Sequence, residues 1–322
     1  YEIVSRDWSS DVCSSDLKTS LGNLHLNGPI LTASGCAASG KELDQFFDIT
    51  EIGGIVTKSI MLEPRSGRAT PRMAETPSGM LNSIGLQGPG VDAFVSHDLA
   101  WLEKRGVTTI ASIAGNNTEE YSRVAARIRD HSAVKAIEVN ISCPNVANRG
   151  LVFACNPHSA ADVITAVRRS VPSTMPVLAK LSPDVTDIVE IAHAVRDAGA
   201  DGVSLINTVL GMALDPVSLR PRLGGRTGGL SGPAIRPIAV RCIYQIRAAL
   251  PDYPILGMGG VRSGLDALEL IAAGANAVSV GTAIFGDPSA PIRITRELEE
   301  ELQRRGFSSV KEASGIAHRV ER

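Results

Sequence analysis

Eight short apolar runs, each closing on serine, lysine, asparagine, threonine or glycine, constrain this chain more than any other feature. They occupy residues 29–32, 54–57, 108–111, 137–140, 176–179, 202–206, 254–257 and 277–280. Each is apolar nearly throughout, without the alternation of a half-wet strand. That fits strands of a parallel sheet buried on both faces. Amphipathic stretches with helical spacing lie between them at 91–104, 119–129, 160–170 and 188–197, and another helix is expected over 264–273. Thr186, with Asp187 after it, is the expected N-cap of the fourth stretch, and Gly199 its stop. Eight β and α units in 322 residues predict an α/β chain folded as one (β/α)8 TIM barrel, with a doubly wound sheet as the alternative. Two longer excursions, 60–90 and 208–232, follow strand ends, so both are expected over the C-terminal mouth.

In a barrel the eight ends converge. Reading past each run gives Ser34-Gly35, Lys58-Ser59, Ser112, Asn140 to Cys143, Lys180, Asn207-Thr208, Gly259-Gly260 and Gly281-Thr282. One polar strand end is a loop start, whereas eight together make a site. Lys58 and Lys180 are costly at a closed barrel end unless an anionic or carbonyl-rich ligand meets them. Glycine turns after the last two strands are the common phosphate site of such barrels. A flavin mononucleotide and a sugar phosphate are both candidates. The fourth end, Asn140-Ile141-Ser142-Cys143-Pro144-Asn145, sets a thiol between two carboxamides. Such a thiol suits proton transfer beside a planar polar substrate. The plainer reading of Cys143 is a small buried side chain before a turn.

Composition excludes other classes. Hydrophobic residues make up 43%, enough for a sizeable core. A net charge of -2 and only 4% aromatics argue against a nucleic-acid partner. The five cysteines form no Cys-x-x-Cys pair, so neither a zinc ribbon nor an iron–sulfur site is expected. With no apolar span and no secretory run, the expected setting is the cytoplasm, without membrane contact. Residues 1–17 are Ser/Asp-rich without periodicity and read as a non-native, adapter-like tail; residues 18–322 are taken as the single domain. Cys36, Cys155 and Cys242 read as packing or bystander thiols. His25, His97, His131, His158, His193 and His318 lack metal spacing, so no metal is expected. Arg65, Arg68 and Arg72 read as a solvated loop face, with an anion site as the alternative.

From about Leu21 onward the motifs together resemble the dihydroorotate dehydrogenases, class 1B catalytic subunits in particular. Thr57-Lys58-Ser59, Asn82 to Gln87, Asn140 to Asn145, Asn207-Thr208, Gly228 to Pro233, Gly257 to Gly260 and Val280 to Thr282 carry the resemblance. It implies that Ser34, Lys58, Ser59, Ser112, Asn140, Lys180, Ile206, Gly232, Gly259, Gly260, Gly281 and Thr282 hold FMN. It implies that Lys58, Asn82, Ser83, Ile84, Gly85, Leu86, Asn140, Asn145, Asn207 and Thr208 hold dihydroorotate or orotate. Cys143 is the implied base. It takes the carbon-5 proton while FMN takes the carbon-6 hydride, in de novo pyrimidine synthesis. A positioned base is worth roughly 10²–10⁴ in rate.

Class 1B relatives pair with a subunit carrying FAD and a [2Fe-2S] cluster and deliver electrons to NAD+. The resemblance therefore implies such a partner, in a heterotetramer built on a homodimer core. This chain shows no dinucleotide fingerprint of its own. The quinone-using class has serine where Cys143 stands, which argues against it. The alternatives are a class 1A fumarate-linked enzyme, a dihydropyrimidine dehydrogenase-like flavoprotein and a non-redox phosphate-binding barrel.

Overall fold

The computed structural model describes residues 15–142 and 156–319. Its strands are β1 (Thr19–Leu21), β2 (Leu24–Leu26), β3 (Ile30–Thr32), β4 (Ile55–Val56), β5 (Met73–Thr76), β6 (Gly79–Asn82) and β7 (Thr109–Ile113). They continue with β8 (Val134–Asn140), β9 (Val177–Lys180), β10 (Gly202–Leu205), β11 (Val209–Gly211), β12 (Gly228–Ser231), β13 (Ile255–Met258) and β14 (Ala277–Val280). Eight of them form one sheet in the order β3-β14-β13-β10-β9-β8-β7-β4. Every pairing in that sheet is parallel. A parallel bridge between Leu31 and Gly54 joins its two ends. The result is a (β/α)8 TIM barrel whose strands follow one another in chain order.

Strand alternation sorts the side chains into two cores. Ile30, Ile55, Ile137, Val139, Val177, Val203, Ile255 and Val278 belong to the large core shared with the helices. Leu31, Val56, Ile110, Ala136, Leu178, Leu256 and Ala277 fill the barrel interior. The β1–β2 hairpin brings Leu21, Leu24 and Leu26 into that inner cluster. Towards the C-terminal ends of five of the strands the inner face turns polar, with Ser112, Glu138, Lys180, Ser204 and Ser279 all buried. A dry plug below a polar tier leaves the tier facing the mouth.

The two excursions are not independent loops. β11, β12, β6 and β5 form one four-stranded antiparallel sheet, in which Gly229 pairs with Asn82. Long-range pairing of this kind has no short-range sequence signal, so the excursions read as separate.

Three local details differ from expectation. The 91–104 stretch is interrupted by a π-helical segment, Phe94–Leu99, between Val91–Ala93 and Ala100–Arg105. Asp187, not Thr186, caps Ile188–Asp197, because its carboxylate accepts from the Val189 and Glu190 amides. Ser15 and Asp16, assigned above to the tail, bond residues 307–310, with the Ser15 hydroxyl donating to the Phe307 carbonyl at 2.9 Å. Among the described residues no helix is long and apolar enough to cross a membrane, and no cluster of metal-ligating side chains occurs.

Candidate active site

A cavity of about 940 Å³ opens at the C-terminal mouth of the barrel, under the four-stranded sheet. Its floor rests on the polar tier, of which Lys180 and Ser279 reach the cavity. The Asn140 amide donates to the Ser59 hydroxyl at 2.9 Å. Ser59 and Ser112 hydroxyls lie 2.9 Å apart, and Ser112 donates to Glu138 Oε1 at 2.9 Å. Ser112 has one proton and gives it to Glu138, so Ser59 must donate to Ser112. The relay therefore runs one way, from Asn140 to the carboxylate. Ser112 itself does not line the cavity; its hydroxyl is fully taken up below the floor.

Glu138 is completely buried and also accepts from Ser204 at 2.8 Å. Its Oε1 lies 3.7 Å from Lys180 Nζ, and Nζ donates to the Ser34 hydroxyl at 2.7 Å. The sequence suggested that a ligand would have to balance Lys180. The protein instead supplies its own buried carboxylate. Breaking such a buried pair by removing one partner costs about 3–5 kcal/mol.

A carboxamide wall rises beside the floor. Asn207 Nδ2 donates to Ser142 Oγ at 2.6 Å, and Ser142 donates to Asn140 Oδ1 at 3.2 Å. Asn207 Oδ1 accepts from the Thr208 amide at 2.8 Å. These bonds set both carboxamides in one orientation each. Asn82 comes from β6 and donates to the Gly229 carbonyl at 3.3 Å. Ser83, Ile84, Gly85 and Leu86 continue the wall. Gly85 and Leu86 have φ of 81° and 55°, a left-handed pair. Arginines hold it there, since Arg65 Nε donates to the Gly85 carbonyl at 3.0 Å and Arg68 Nη1 to Ser83 Oγ at 3.4 Å. Arg72 in turn donates to Gln87 at 2.8 Å. The arginines are thus braces of the wall, and Arg68 reaches the cavity. The sequence reading of a solvated face missed this because the braced loop lies next to them only after β5–β6 forms.

The opposite end is built from glycine. Gly232, Gly259, Gly260, Gly281 and Thr282 all line the cavity, with Ile206 nearby. Gly260 has φ 77°, and a Cβ there would sit 2.8 Å from Arg236 Cβ and 2.9 Å from the Gly232 carbonyl. Such crowding leaves bare backbone as the lining. Thr282 Oγ1 donates to Ser231 Oγ at 2.8 Å and joins the barrel end to β12. The buried Ser279 hydroxyl, also at this cavity, has no partner among the described residues.

The lining is one-signed. Lys58, Arg68, Lys180 and Arg262 line the cavity, and among the described residues no carboxylate does. Burial is the main force holding the Lys58 ammonium below its usual pKa; the Cys36 thiol opposes the shift and Arg72 adds to it. Cys36 lines the cavity rather than merely packing, and burial pushes its thiol up to about 11 despite Lys180 and Lys58.

A family model described as dihydroorotate dehydrogenase matches residues 16–302. The chain belongs to the dihydroorotate dehydrogenase family. It is 47% identical over 303 residues to a Desulforamulus reducens protein, covering 94% of this chain and 99% of that one. It is 48% identical over 299 residues to a Bacillus cytotoxicus protein, covering 93% and 96%. Both are named dihydroorotate dehydrogenase B (NAD(+)), catalytic subunit.

Most of the residues singled out from sequence meet at this one cavity of the dihydroorotate dehydrogenase barrel. Ser34, Lys58, Ser59, Asn82, Ser83, Ile84, Gly85, Leu86, Asn140, Lys180, Ile206, Asn207, Thr208, Gly232, Gly259, Gly260, Gly281 and Thr282 line it. Cys143 and Asn145 lie outside the described residues. Sequence reasoning missed Glu138, Ser204, Arg68 and the cavity-lining role of Cys36. Glu138 had a signal: it is a carboxylate inside an apolar strand, two residues before Asn140 and so on the same inner face.

Proposed function

We propose that this chain oxidises (S)-dihydroorotate to orotate with FMN bound, in pyrimidine synthesis. Electrons would then pass through a partner subunit to NAD+. The observation that carries the reading is the cavity's division: bare glycine backbone at one end, carboxamides at the other, cations throughout and, among the described residues, no carboxylate. An FMN phosphate suits the glycine end, where the backbone of Gly259, Gly260 and Gly281, with Thr282 beside them, lines the cavity and would offer N–H groups to it. The unpartnered Ser279 hydroxyl and the paired Lys180 fit a polar ring system on the floor. When bound, FMN supplies a hydride acceptor for carbon 6 of the substrate.

The chain's own residues do the rest. Asn82, Asn140, Asn207 and Thr208 read the imide and carboxylate edges, since each carboxamide both donates and accepts. Asn145 joins them in this proposal. Lys58 opposes the substrate carboxylate. The Asn140–Ser59–Ser112–Glu138 relay fixes the Asn140 amide before substrate arrives, so no reorientation is needed on binding. Cys143, as thiolate, removes the carbon-5 proton and becomes the thiol. The substrate loses one proton and one hydride and gains a carbon–carbon double bond. Lys180 favours negative charge at the floor during the step.

The curated relatives' name, catalytic subunit, supports a second subunit. We assign to it the FAD and [2Fe-2S] cluster, in a heterotetramer around a catalytic homodimer in the cytoplasm. Residues 1–17 are proposed as a non-native tail, and residues 18–322 as the single FMN-binding domain.

The test is anaerobic addition of dihydroorotate to FMN-loaded protein. The flavin absorbance should bleach with dihydroorotate and not with dihydrouracil, and Cys143→Ser should slow bleaching at neutral pH by roughly 10²-fold or more. A chain that takes up no FMN, or that bleaches equally with dihydrouracil, overturns the reading.

A further inference from the structure

Glu138 is the one carboxylate in the polar tier, and the activity proposed above does not use it directly. It does not line the cavity. It has no exposed surface, and both of its oxygens accept serine hydroxyls, Oε1 from Ser112 and Oε2 from Ser204. Those bonds come from β7 and β10, the strands one and two places away in the barrel, so the carboxylate is fixed from two sides. Its third neighbour is Lys180 on β9, at 3.7 Å. Lys180 is only 4% exposed and lines the cavity.

A buried ammonium needs a fixed counter-charge to stay charged and in place. Among the described residues Lys180 bonds Ser34, which is neutral, and pairs with Glu138, and the Cys36 thiol lies near it. We propose that Glu138 is a positioning residue that keeps Lys180 charged and aimed into the cavity, so that the preference of this site for reduced over oxidised FMN depends on it. This rests on the FMN reading above.

Glu138→Gln keeps the shape and removes the charge. In that variant Lys180 loses the one buried anion beside it among the described residues; the ammonium is no longer held charged and in place, and its favourable field at the floor weakens. The measurement is the midpoint potential of bound FMN, by equilibration with a reference dye under anaerobic conditions. The ratio of reduced to oxidised FMN affinity should fall about tenfold, which is a potential lower by ~30 mV for a two-electron couple. Glu138→Asp, which withdraws the carboxylate by one methylene, should move it the same way by less. A packing role alone would lower the melting temperature and leave this potential unchanged.

If Glu138→Gln does not fold, Lys180→Met is compared with the Glu138→Gln/Lys180→Met double variant, which removes both charges together. Glu138 acting through Lys180 requires the same potential in both, and a further shift in the double variant overturns the proposal. An unchanged or raised potential in Glu138→Gln, with wild-type protein that binds FMN, overturns the positioning role and leaves the FMN reading standing. Wild-type protein that takes up no FMN overturns that reading, and the proposal with it.

Discussion

Gly229→Ala should damage substrate binding without touching the phosphate end of the cavity. Gly229 lies on β12, opposite Asn82 of β6, and its carbonyl accepts from the Asn82 amide. A Cβ at this position would overlap Thr208 Oγ1 and sit 2.6 Å from Thr208 Cβ. Ordinary contacts between such atoms begin at roughly 3.5 Å. Thr208 must therefore retreat by about an ångström. It cannot swing freely, because it is β-branched and its amide is bonded to Asn207 Oδ1 at 2.8 Å. The shift is passed to Asn207, and from there to Ser142 and Asn140.

Overpacking of this kind costs about 1–3 kcal/mol. If most of it falls on the wall, the orotate Kd rises by roughly fivefold to 150-fold. The FMN Kd should stay within about twofold, because the three atoms nearest a Gly229 Cβ all belong to Thr208 and the clash falls on the carboxamide wall. The assay is a titration of FMN-loaded protein with orotate, followed by the flavin difference spectrum, beside a thermal melt of each variant. An unchanged orotate Kd with an unchanged melt would refute the reasoning, since it would mean that Thr208 moves without consequence.

Three further outcomes are expected. Gly260→Ala places an L residue at φ 77° with its Cβ 2.8 Å from Arg236 Cβ; strain of about 1–2 kcal/mol plus that contact should weaken FMN binding by on the order of tenfold, read by flavin fluorescence. Orotate binding should be tight while Lys58 is protonated and should fall as pH rises through its burial-lowered pKa, below the ordinary 10.5; Lys58→Met should flatten the Kd-against-pH curve, and a wild-type curve that is already flat would exclude the ammonium. Cys36, with its thiol pushed up to about 11, should alkylate at pH 8 about 100-fold more slowly than an ordinary thiol, as measured by iodoacetamide labelling and peptide mass mapping; labelling at the ordinary rate would contradict its burial.

The eight strands were legible because each is buried on both faces and is apolar over most of its length, which leaves a nearly continuous signature. The last two strand ends were legible because bare backbone requires glycine. Helix caps were legible to within one residue: Thr186 and Asp187 are both capping types, and only the observed bonds to Val189 and Glu190 choose Asp187. The π segment at Phe94–Leu99 left no trace, since its apolar spacing passes for an α-helix over so short a length.

What the sequence determined by itself, then, is the barrel, the direction of its mouth and most of the polar and glycine strand ends that meet there. These follow from local rules, namely alternation, apolar runs and backbone space. The tertiary structure alone decided which side chains satisfy one another. Glu138 looks like an error in a strand until β7, β9 and β10 bring Ser112, Lys180 and Ser204 around it. Arg65, Arg68 and Arg72 look solvated until the β5–β6 hairpin turns the 83–88 loop back onto them. Residues 60–90 and 208–232 look like two loops until β6 and β12 pair. In each case the partner is distant along the chain, and a buried charge or an open strand edge is tolerable only once that partner has arrived.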